Sequence, residues 1–265
     1  MKNDAGQRPS NFQLAPKNKK SASKNDAGQR PSNFQLAPKN KKSASKKLLL
    51  AVPKGRILDE LYPLFARISL IPEKDFFNES SRKLIFKTNR QNLEIVKVRS
   101  FDVATFVKFG AADLGICGSD VLEEFSSAEI FPILDLKIGK CRLSIATKKS
   151  SVDGQKLSQS QSDLRLFSHL RIATKYPAIA SKYFSNLGIQ AEAIKLNGAI
   201  EIAPKLNLCD FILDLVSSGK TLAENDMAEV QKVMDVSSHL IVNRASLKTA
   251  NHEINQLIKI FDATK

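Results

Sequence analysis

Short apolar runs alternate with segments of helical periodicity over residues 48–261, and this alternation leaves few possible folds. Residues 48–52 form an apolar run of strand length, and residues 57–68 repeat their apolar positions at helical spacing. The same order of strand, loop and helix returns at residues 113–125 and 170–187. Strands that alternate with helices predict mostly parallel sheets covered by helices. We therefore predict an α/β fold.

The polar, Ser- and Gln-rich segment 148–168 separates two such runs, which predicts two lobes with a central cleft. We place lobe I at residues 47–138 and 232–265, and lobe II at residues 139–231. Ligands of open α/β sheets bind at the carboxyl ends of strands. Residues 53–56, 118–120 and 217–221 all fall at such ends, so we expect these loops to converge on the cleft.

The first 46 residues are unlike the rest of the chain. Residues 2–23 are repeated without change as residues 24–45, and each copy carries a charge of +4, so that the pair supplies +8 of the formal +14. This polar, basic tail buries too little apolar surface to offset its chain entropy, and we predict that it is disordered. We favour a duplicated extension without a role over a nucleic-acid-binding arm.

The remaining composition excludes several classes of protein. The three cysteines and three histidines are scattered, without the spacing of a zinc site or a disulfide framework. No apolar run approaches the roughly 20 residues that a membrane helix needs, and no secretory signal precedes the first strand. We therefore expect a cytoplasmic protein with reduced thiols and no membrane partner.

Residues 210–222 carry the clearest chemical signal. They read as a buried strand interrupted by Asp214, then a Ser-Ser-Gly turn, then the start of a helix. The unpaired amides at a helix start, together with the hydroxyls of Ser217, Ser218 and Thr221, can surround a phosphate. The adjacent carboxylate suits a sugar, whose hydroxyls must also be bound. An ordinary strand ending in a Ser/Gly turn is the alternative, because short motifs recur by chance.

Six segments together resemble one family. They are AVPKGR at residues 51–56, VRSFDVATFVKFGAADLGICGSDVLEE at 98–124, GKCRLSIA at 139–146, RIATKYP at 171–177, LNGAIEIAP at 196–204 and DFILDLVSSGKTL at 210–222. In order and spacing they resemble the ATP phosphoribosyltransferase family over residues 47–247. The resemblance implies a two-lobed fold like that of type II periplasmic binding proteins. It also implies Mg²⁺-dependent transfer of phosphoribosyl from phosphoribosyl pyrophosphate to N1 of the adenine of ATP, the first step of histidine biosynthesis.

The chain ends soon after residue 247, so it resembles the short form of the family, without the C-terminal histidine-binding domain. The resemblance implies a separate regulatory subunit similar to histidyl-tRNA synthetase, in a hetero-octamer.

Site roles follow from the matching motifs. The resemblance assigns catalysis to Asp214, Glu201 and Arg56, and places the 5-phosphate of phosphoribosyl pyrophosphate on Ser217, Ser218, Gly219, Lys220 and Thr221. Ser218 replaces the common Thr and keeps its hydroxyl. The residues assigned to ATP are Lys54, Gly55, Arg56, Gly118, Ser119, Asp120, Arg142, Lys175 and Tyr176. Mg²⁺ is expected to bind through substrate phosphates, with Asp214 as a candidate ligand.

The residue types fit phosphoribosyl transfer, and two alternative functions remain. The nucleophile is a ring nitrogen of the substrate, so no Ser, Cys or His nucleophile is needed. A solute-binding protein of the same fold is the first alternative, because a fold does not fix a function. A nucleobase-salvage phosphoribosyltransferase is the second; such enzymes usually carry two adjacent acidic residues before the loop, whereas Asp210 and Asp214 are four positions apart.

Overall fold

The computed structural model describes residues 47–78, 80–151 and 169–263. The predicted disordered tail lies outside these residues. Within the described part of the chain, no helix has the length and apolar character to span a membrane.

Eleven strands form two separate sheets among the described residues. The strands are β1 (Leu48–Pro53), β2 (Ile85–Lys87), β3 (Leu93–Val98), β4 (Leu114–Gly118), β5 (Ile130–Asp135), β6 (Cys141–Lys148), β7 (Leu170–Thr174), β8 (Ala191–Lys195), β9 (Phe211–Val216), β10 (Met227–Val236) and β11 (Ser238–Asn243). The helices are α1 (Arg56–Arg67), α2 (Ser100–Lys108), α3 (Ser119–Phe125), α4 (Pro177–Asn186), α5 (Lys220–Glu224), α6 (Arg244–Thr249) and α7 (Asn251–Asp262), with 3₁₀ turns at Lys74–Phe77 and Ile200–Ile202.

The six-stranded sheet has the order β2-β3-β1-β4-β11-β5, and the five-stranded sheet has the order β10-β6-β9-β7-β8. In the first sheet β1 runs parallel to β3 and β4, and β11 is antiparallel to β4 and β5. In the second sheet β7 runs parallel to β8 and β9, and β6 is antiparallel to β9 and β10. Each sheet thus combines three parallel strands with antiparallel neighbours. The predicted α/β class is confirmed, but the prediction of mostly parallel sheets is wrong, because β2, β5, β6, β10 and β11 pair in antiparallel fashion.

Helices cover both sheets with their apolar faces. Helix α1 buries Leu58, Leu61, Leu64 and Phe65 against the six-stranded sheet, and the apolar face of α7 joins the same core. Phe184 of α4 packs with the buried residues of β6, β7 and β9 in the second core. A further buried cluster lies on each sheet, so that both sheets have apolar residues packed on two faces.

The chain passes between the sheets twice, after β5 and after β10. The boundary predicted between residues 231 and 232 lies inside β10, which pairs with β6 as far as Val236↔Cys141. The change of sheet therefore falls at Ser237, because the last residues of β10 complete this ladder. The assignment of the other segments to two lobes stays a prediction.

Candidate active site

A cavity of about 260 Å³ opens at the carboxyl end of β9. Arg56, from α1 of the six-stranded half, lines it together with Cys141, Glu201 and residues 214–222 of the other half. All three predicted catalytic residues and the whole predicted phosphate loop therefore line one cavity. This convergence is the expected arrangement for loops that follow strand ends.

Asp214 provides the carboxylate nearest the loop. It lies in β9 opposite Ser144 of β6, and its Oδ1 accepts a hydrogen bond from the Leu215 amide at 2.8 Å. Although the residue is partly exposed, protein atoms surround its carboxyl group, and this burial raises the pKa of Asp214 from 3.8 to about 6. Glu201 adds to the rise through repulsion, while Lys175 opposes it. A perturbed carboxyl in a cavity is typical of a functional site.

The loop after β9 turns through Gly219, which has φ 78° and ψ 0° and precedes α5. A side chain at this left-handed position would be strained, so glycine suits the turn. Ser217, Ser218, Lys220 and Thr221 are exposed, and the Lys220 amide donates to Ser218 Oγ at 3.4 Å. The loop thus presents three hydroxyls and an ammonium group to the cavity.

The loop after β1 turns in a similar way. Gly55 has φ 83° and ψ −155°, a conformation essentially restricted to glycine, and it precedes the first residue of α1. Lys54 and Arg56 on either side are exposed. Arg56 reaches the cavity, whereas Lys54 and Gly55 do not line it.

Arg142 forms hydrogen bonds with other groups of the protein. Its Nε donates to Glu229 Oε1 at 2.7 Å, its Nη2 donates to Oε2, and its Nη1 donates to the Ser217 carbonyl at 3.2 Å. The hydrogen bonds to Glu229 raise the pKa of Arg142, and those from Arg142 lower the pKa of Glu229. Arg142 therefore contacts the first residue of the phosphate loop directly, and its contact with ATP stays a prediction. Glu229 in β10 was not among the predicted site residues, since its partner Arg142 lies 87 positions away in the sequence.

Two residues predicted to bind ATP are buried between the two halves. The Tyr176 hydroxyl donates to Asp120 Oδ2 at 2.7 Å, and only 2% of Tyr176 and 4% of Asp120 are exposed. Burial raises the pKa of both groups. A Cβ added at Gly118 would lie 2.0 Å from Asp120 Oδ1, so Gly118 leaves room for the carboxyl. These side chains therefore join the two halves, and their contact with ATP stays a prediction.

Helix α3 makes two more links of this kind. Glu124 accepts hydrogen bonds from the Ala178 and Ile179 amides at 3.0 Å, which caps the start of α4. Ser119, also predicted to bind ATP, exchanges hydrogen bonds with Ser237 at the point where the chain changes sheets. The contact of Ser119 with ATP stays a prediction.

A second cavity, of about 620 Å³, gathers three cations. Its lining residues are Arg99, Phe101, Asp102, Thr105, Phe125, Lys175, Lys195 and Asn197. Lys175 Nζ lies 4.3 Å from the centroid of the Phe101 ring. Since Lys175 also lowers the pKa of Asp214, the two cavities are near enough for their charges to interact. Of these three cations only Lys175 was predicted as a site residue; Arg99 lies in the family-like segment 98–124, but no role was predicted for it.

The described residues contain no group of three or more His, Cys, Asp or Glu side chains that could hold a metal ion. Asp214 and Glu201 are the acidic residues that line the smaller cavity. The protein therefore offers two carboxylates rather than a full set of metal ligands.

The described residues form two α/β halves joined by two crossings, with a cavity at the carboxyl end of β9, which matches the predicted two-lobed α/β class. The family model described as "HisG: ATP phosphoribosyltransferase" matches residues 99–263. The chain is 51% identical over 215 residues to an ATP phosphoribosyltransferase of Rhizorhabdus wittichii, covering 81% of this chain and 94% of the relative. It is 52% identical to one of Paramagnetospirillum magneticum, covering 81% and 95% of the two chains.

Among solved structures, the chain resembles one of the ATP phosphoribosyl transferase (HisG:HisZ) complex from Thermotoga maritima, with a TM-score of 0.66 and 26% identity over 82% of this chain and 97% of that chain. The chain belongs to the ATP phosphoribosyltransferase family. The predicted enzyme class and the predicted place in histidine biosynthesis are thereby confirmed, and the solute-binding alternative finds no support.

Proposed function

We propose that phosphoribosyl pyrophosphate binds in the smaller cavity, with its 5-phosphate on residues 217–221 and its pyrophosphate directed toward Arg56. The observation that carries this proposal is the shared lining of the cavity. Arg56 comes from one half of the molecule, and Asp214 and the phosphate loop come from the other. A ligand with an anion at each end, held between a hydroxyl-rich loop and a guanidinium group, suits this arrangement.

Asp214 acts on the sugar. Substitution at the anomeric carbon develops positive charge on the ring as the bond to pyrophosphate breaks. With a pKa of about 6, Asp214 is ionised at neutral pH and bears a negative charge beside the ring. A fixed charge of this kind stabilises the transition state more than the ground state. Glu201, in the same cavity, helps to bind the ribose hydroxyls.

ATP lies along the larger cavity, where Arg99, Lys175 and Lys195 provide cations for the triphosphate. N1 of its adenine faces the anomeric carbon and attacks as pyrophosphate leaves. No protein nucleophile is required, and the enzyme contributes mainly by holding two substrates in line.

Mg²⁺ fits this site through its substrates. Carboxylate oxygens are suitable donors, and Mg²⁺ is usually bound by one or two carboxylates plus substrate phosphates and water. Asp214 and Glu201 match that need. When bound, the ion neutralises charge on the pyrophosphate leaving group. Chelation of divalent cations is expected to abolish turnover, and added Mg²⁺ to restore it.

The catalyst works with a separate regulatory subunit, resembling histidyl-tRNA synthetase, in a cytoplasmic hetero-octamer. The match to 97% of a chain from the Thermotoga maritima complex supports this assignment. Histidine should then inhibit the assembled complex but not this chain alone. Inhibition of the purified chain by histidine would contradict the proposed division of labour.

The activity is tested by mixing ATP, phosphoribosyl pyrophosphate and Mg²⁺ with the chain and its partner. Formation of phosphoribosyl-ATP raises the ultraviolet absorbance. We expect a rise that depends on both substrates and the metal. No product in the presence of the partner would refute the proposed function.

A further inference from the structure

Glu229 is an acidic residue beside the site to which no role has been assigned. It lies in β10, and its carboxylate accepts hydrogen bonds from Arg142 and from Ser144 Oγ, the latter at 2.7 Å. Ser144 is almost fully buried, at 1% exposure, while the side chains of Arg142 and Glu229 are 34% and 27% exposed. An exposed ion pair alone contributes little to stability, so this bidentate, anchored pair calls for another explanation.

The register of the sheet places this network beneath the site. Ser144 of β6 is directly opposite Asp214 of β9, and Arg142 is opposite Val216. Directly paired residues of antiparallel strands point to the same face, so Arg142 and Ser144 share the face of Asp214. From there Arg142 Nη1 reaches the carbonyl of Ser217, the first residue of the phosphate loop. Glu229 is thus linked to the loop through a single side chain.

We propose that Glu229 is a positioning residue for phosphoribosyl pyrophosphate, which orients Arg142 so that its guanidinium group fixes the start of the phosphate loop. The inference rests on the proposed function of the loop. It makes Arg142 a support of the loop rather than a ligand of ATP. The two hydrogen bonds to Glu229 hold the guanidinium plane, and the third donor is then aimed at the Ser217 carbonyl.

The charges of the pair matter as much as their geometry. Arg142 holds the pKa of Glu229 below its usual range, so the carboxylate is charged at working pH. A lone carboxylate in this position would repel the phosphate that the loop binds, whereas the ion pair has no net charge. Removing Arg142 alone should therefore harm phosphoribosyl pyrophosphate binding more than removing the charge of Glu229 alone.

The test compares Glu229→Gln, Arg142→Gln and the double variant in the complete enzyme with its partner, with the KM for each substrate measured separately. In Glu229→Gln, an amide NH₂ group, which is a donor, replaces one of the two carboxylate oxygens that accept hydrogen bonds from Arg142. We expect the KM for phosphoribosyl pyrophosphate to rise roughly fivefold in Glu229→Gln and roughly twentyfold in Arg142→Gln. The double variant should be less impaired than Arg142→Gln, and the KM for ATP should stay within about twofold throughout.

Two further variants serve as controls for the role of Glu229. Glu229→Asp keeps the charge but shortens the reach, and should also raise the KM for phosphoribosyl pyrophosphate. Glu73→Gln removes the carboxylate that pairs with Lys83, which is similarly exposed and lines neither cavity, and should change neither KM. Melting temperatures identify any variant whose effect comes from unfolding.

The inference is overturned if Glu229→Gln and Glu229→Asp behave like Glu73→Gln, if both substrates are affected equally, or if the double variant is worse than Arg142→Gln. Thr221→Ala separates this failure from a failure of the proposed function. If Thr221→Ala raises the KM for phosphoribosyl pyrophosphate while Glu229 variants do not, only the positioning role is wrong. If Thr221→Ala has no effect, the proposed site itself is wrong.

Discussion

The loops after β1 and β9 share a backbone design and differ in their chemistry. Each follows a largely buried strand, and each turns through a glycine of positive φ immediately before a helix, Gly55 in one case and Gly219 in the other. The first loop carries Lys54 and Arg56, whereas the second carries hydroxyls and follows Asp214. The glycine determines how the chain turns, and the neighbouring side chains determine which part of a ligand it can bind.

Under the proposed function, the two loops bind opposite ends of phosphoribosyl pyrophosphate. The β1 loop contributes a cation, which suits a leaving pyrophosphate. The β9 loop contributes hydroxyls beside a carboxylate of raised pKa, which suits a phosphate attached to a sugar ring. Substitutions on either side should therefore have separable effects.

The largest effect is expected from Asp214→Asn, which removes the charge beside the sugar. We expect kcat/KM for phosphoribosyl pyrophosphate to fall roughly 100-fold, by analogy with the loss of one group that stabilises transition-state charge. In the native enzyme the same parameter should decline below about pH 6 as Asp214 is protonated, and this decline should be missing in the variant. A variant with native kinetics would remove Asp214 from the mechanism.

The same substitution should increase stability. The pKa of Asp214 is near 6 in the folded protein and near 3.8 without the burial, so folding favours the protonated form. The stability that this group contributes is full below pH 4 and is lost as the pH rises through 6. At pH 7.5 Asp214→Asn should melt a few degrees above the native protein, and at pH 4 the two should agree. A lower melting temperature at pH 7.5 would contradict the assigned burial.

The next largest effect is expected from substitutions in the two loops. Ribose 5-phosphate and pyrophosphate, the two halves of the substrate, serve as inhibitors that report on each loop. Thr221→Ala should weaken inhibition by ribose 5-phosphate roughly tenfold and leave inhibition by pyrophosphate nearly unchanged. Arg56→Ala should do the reverse. Equal losses for both inhibitors in each variant would show that the loops do not divide the ligand.

Tyr176→Phe tests how much the hydrogen bond between Tyr176 and Asp120, which joins the two halves, contributes to stability. The change removes the side-chain hydrogen-bond donor of buried Asp120, which keeps only backbone donors, and we expect the free energy of unfolding to fall by about 1–3 kcal/mol. Denaturant unfolding of Tyr176→Phe, Asp120→Asn and the double variant measures the coupling. Because the Tyr176 ring is buried, the KM for ATP should remain close to that of the native enzyme. A large change in the KM for ATP without a loss of stability would instead indicate that Tyr176 contacts the nucleotide.

The smallest effect is expected in the larger cavity. Lys195→Ala should raise the KM for ATP roughly threefold, as suits an exposed cation near a triphosphate. Lys182→Ala, which removes a lysine paired with Glu123 outside both cavities, is the matched control. Equal behaviour of the two variants would place ATP elsewhere.

The sequence predicted features that depend on local pattern. The strand at residues 211–216, the Gly219 turn and the cavity position of Asp214 and Arg56 follow from apolar runs and glycine placement. The sequence did not predict which polar side chains form hydrogen bonds with other side chains of the protein. Tyr176 and Arg142 stand in motifs that suggest a ligand, yet their partners Asp120 and Glu229 are distant in sequence. Only the register of the sheets and the packing of the halves reveals those contacts.

A structure of the enzyme with bound phosphoribosyl pyrophosphate tests the assignment of the two loops most directly. We predict the 5-phosphate within hydrogen-bond distance of Ser217, Ser218 and Thr221, the ribose beside Asp214, and the pyrophosphate on the side of Arg56. A 5-phosphate bound instead by the loop of Lys54 and Arg56, with the pyrophosphate on residues 217–221, would contradict it.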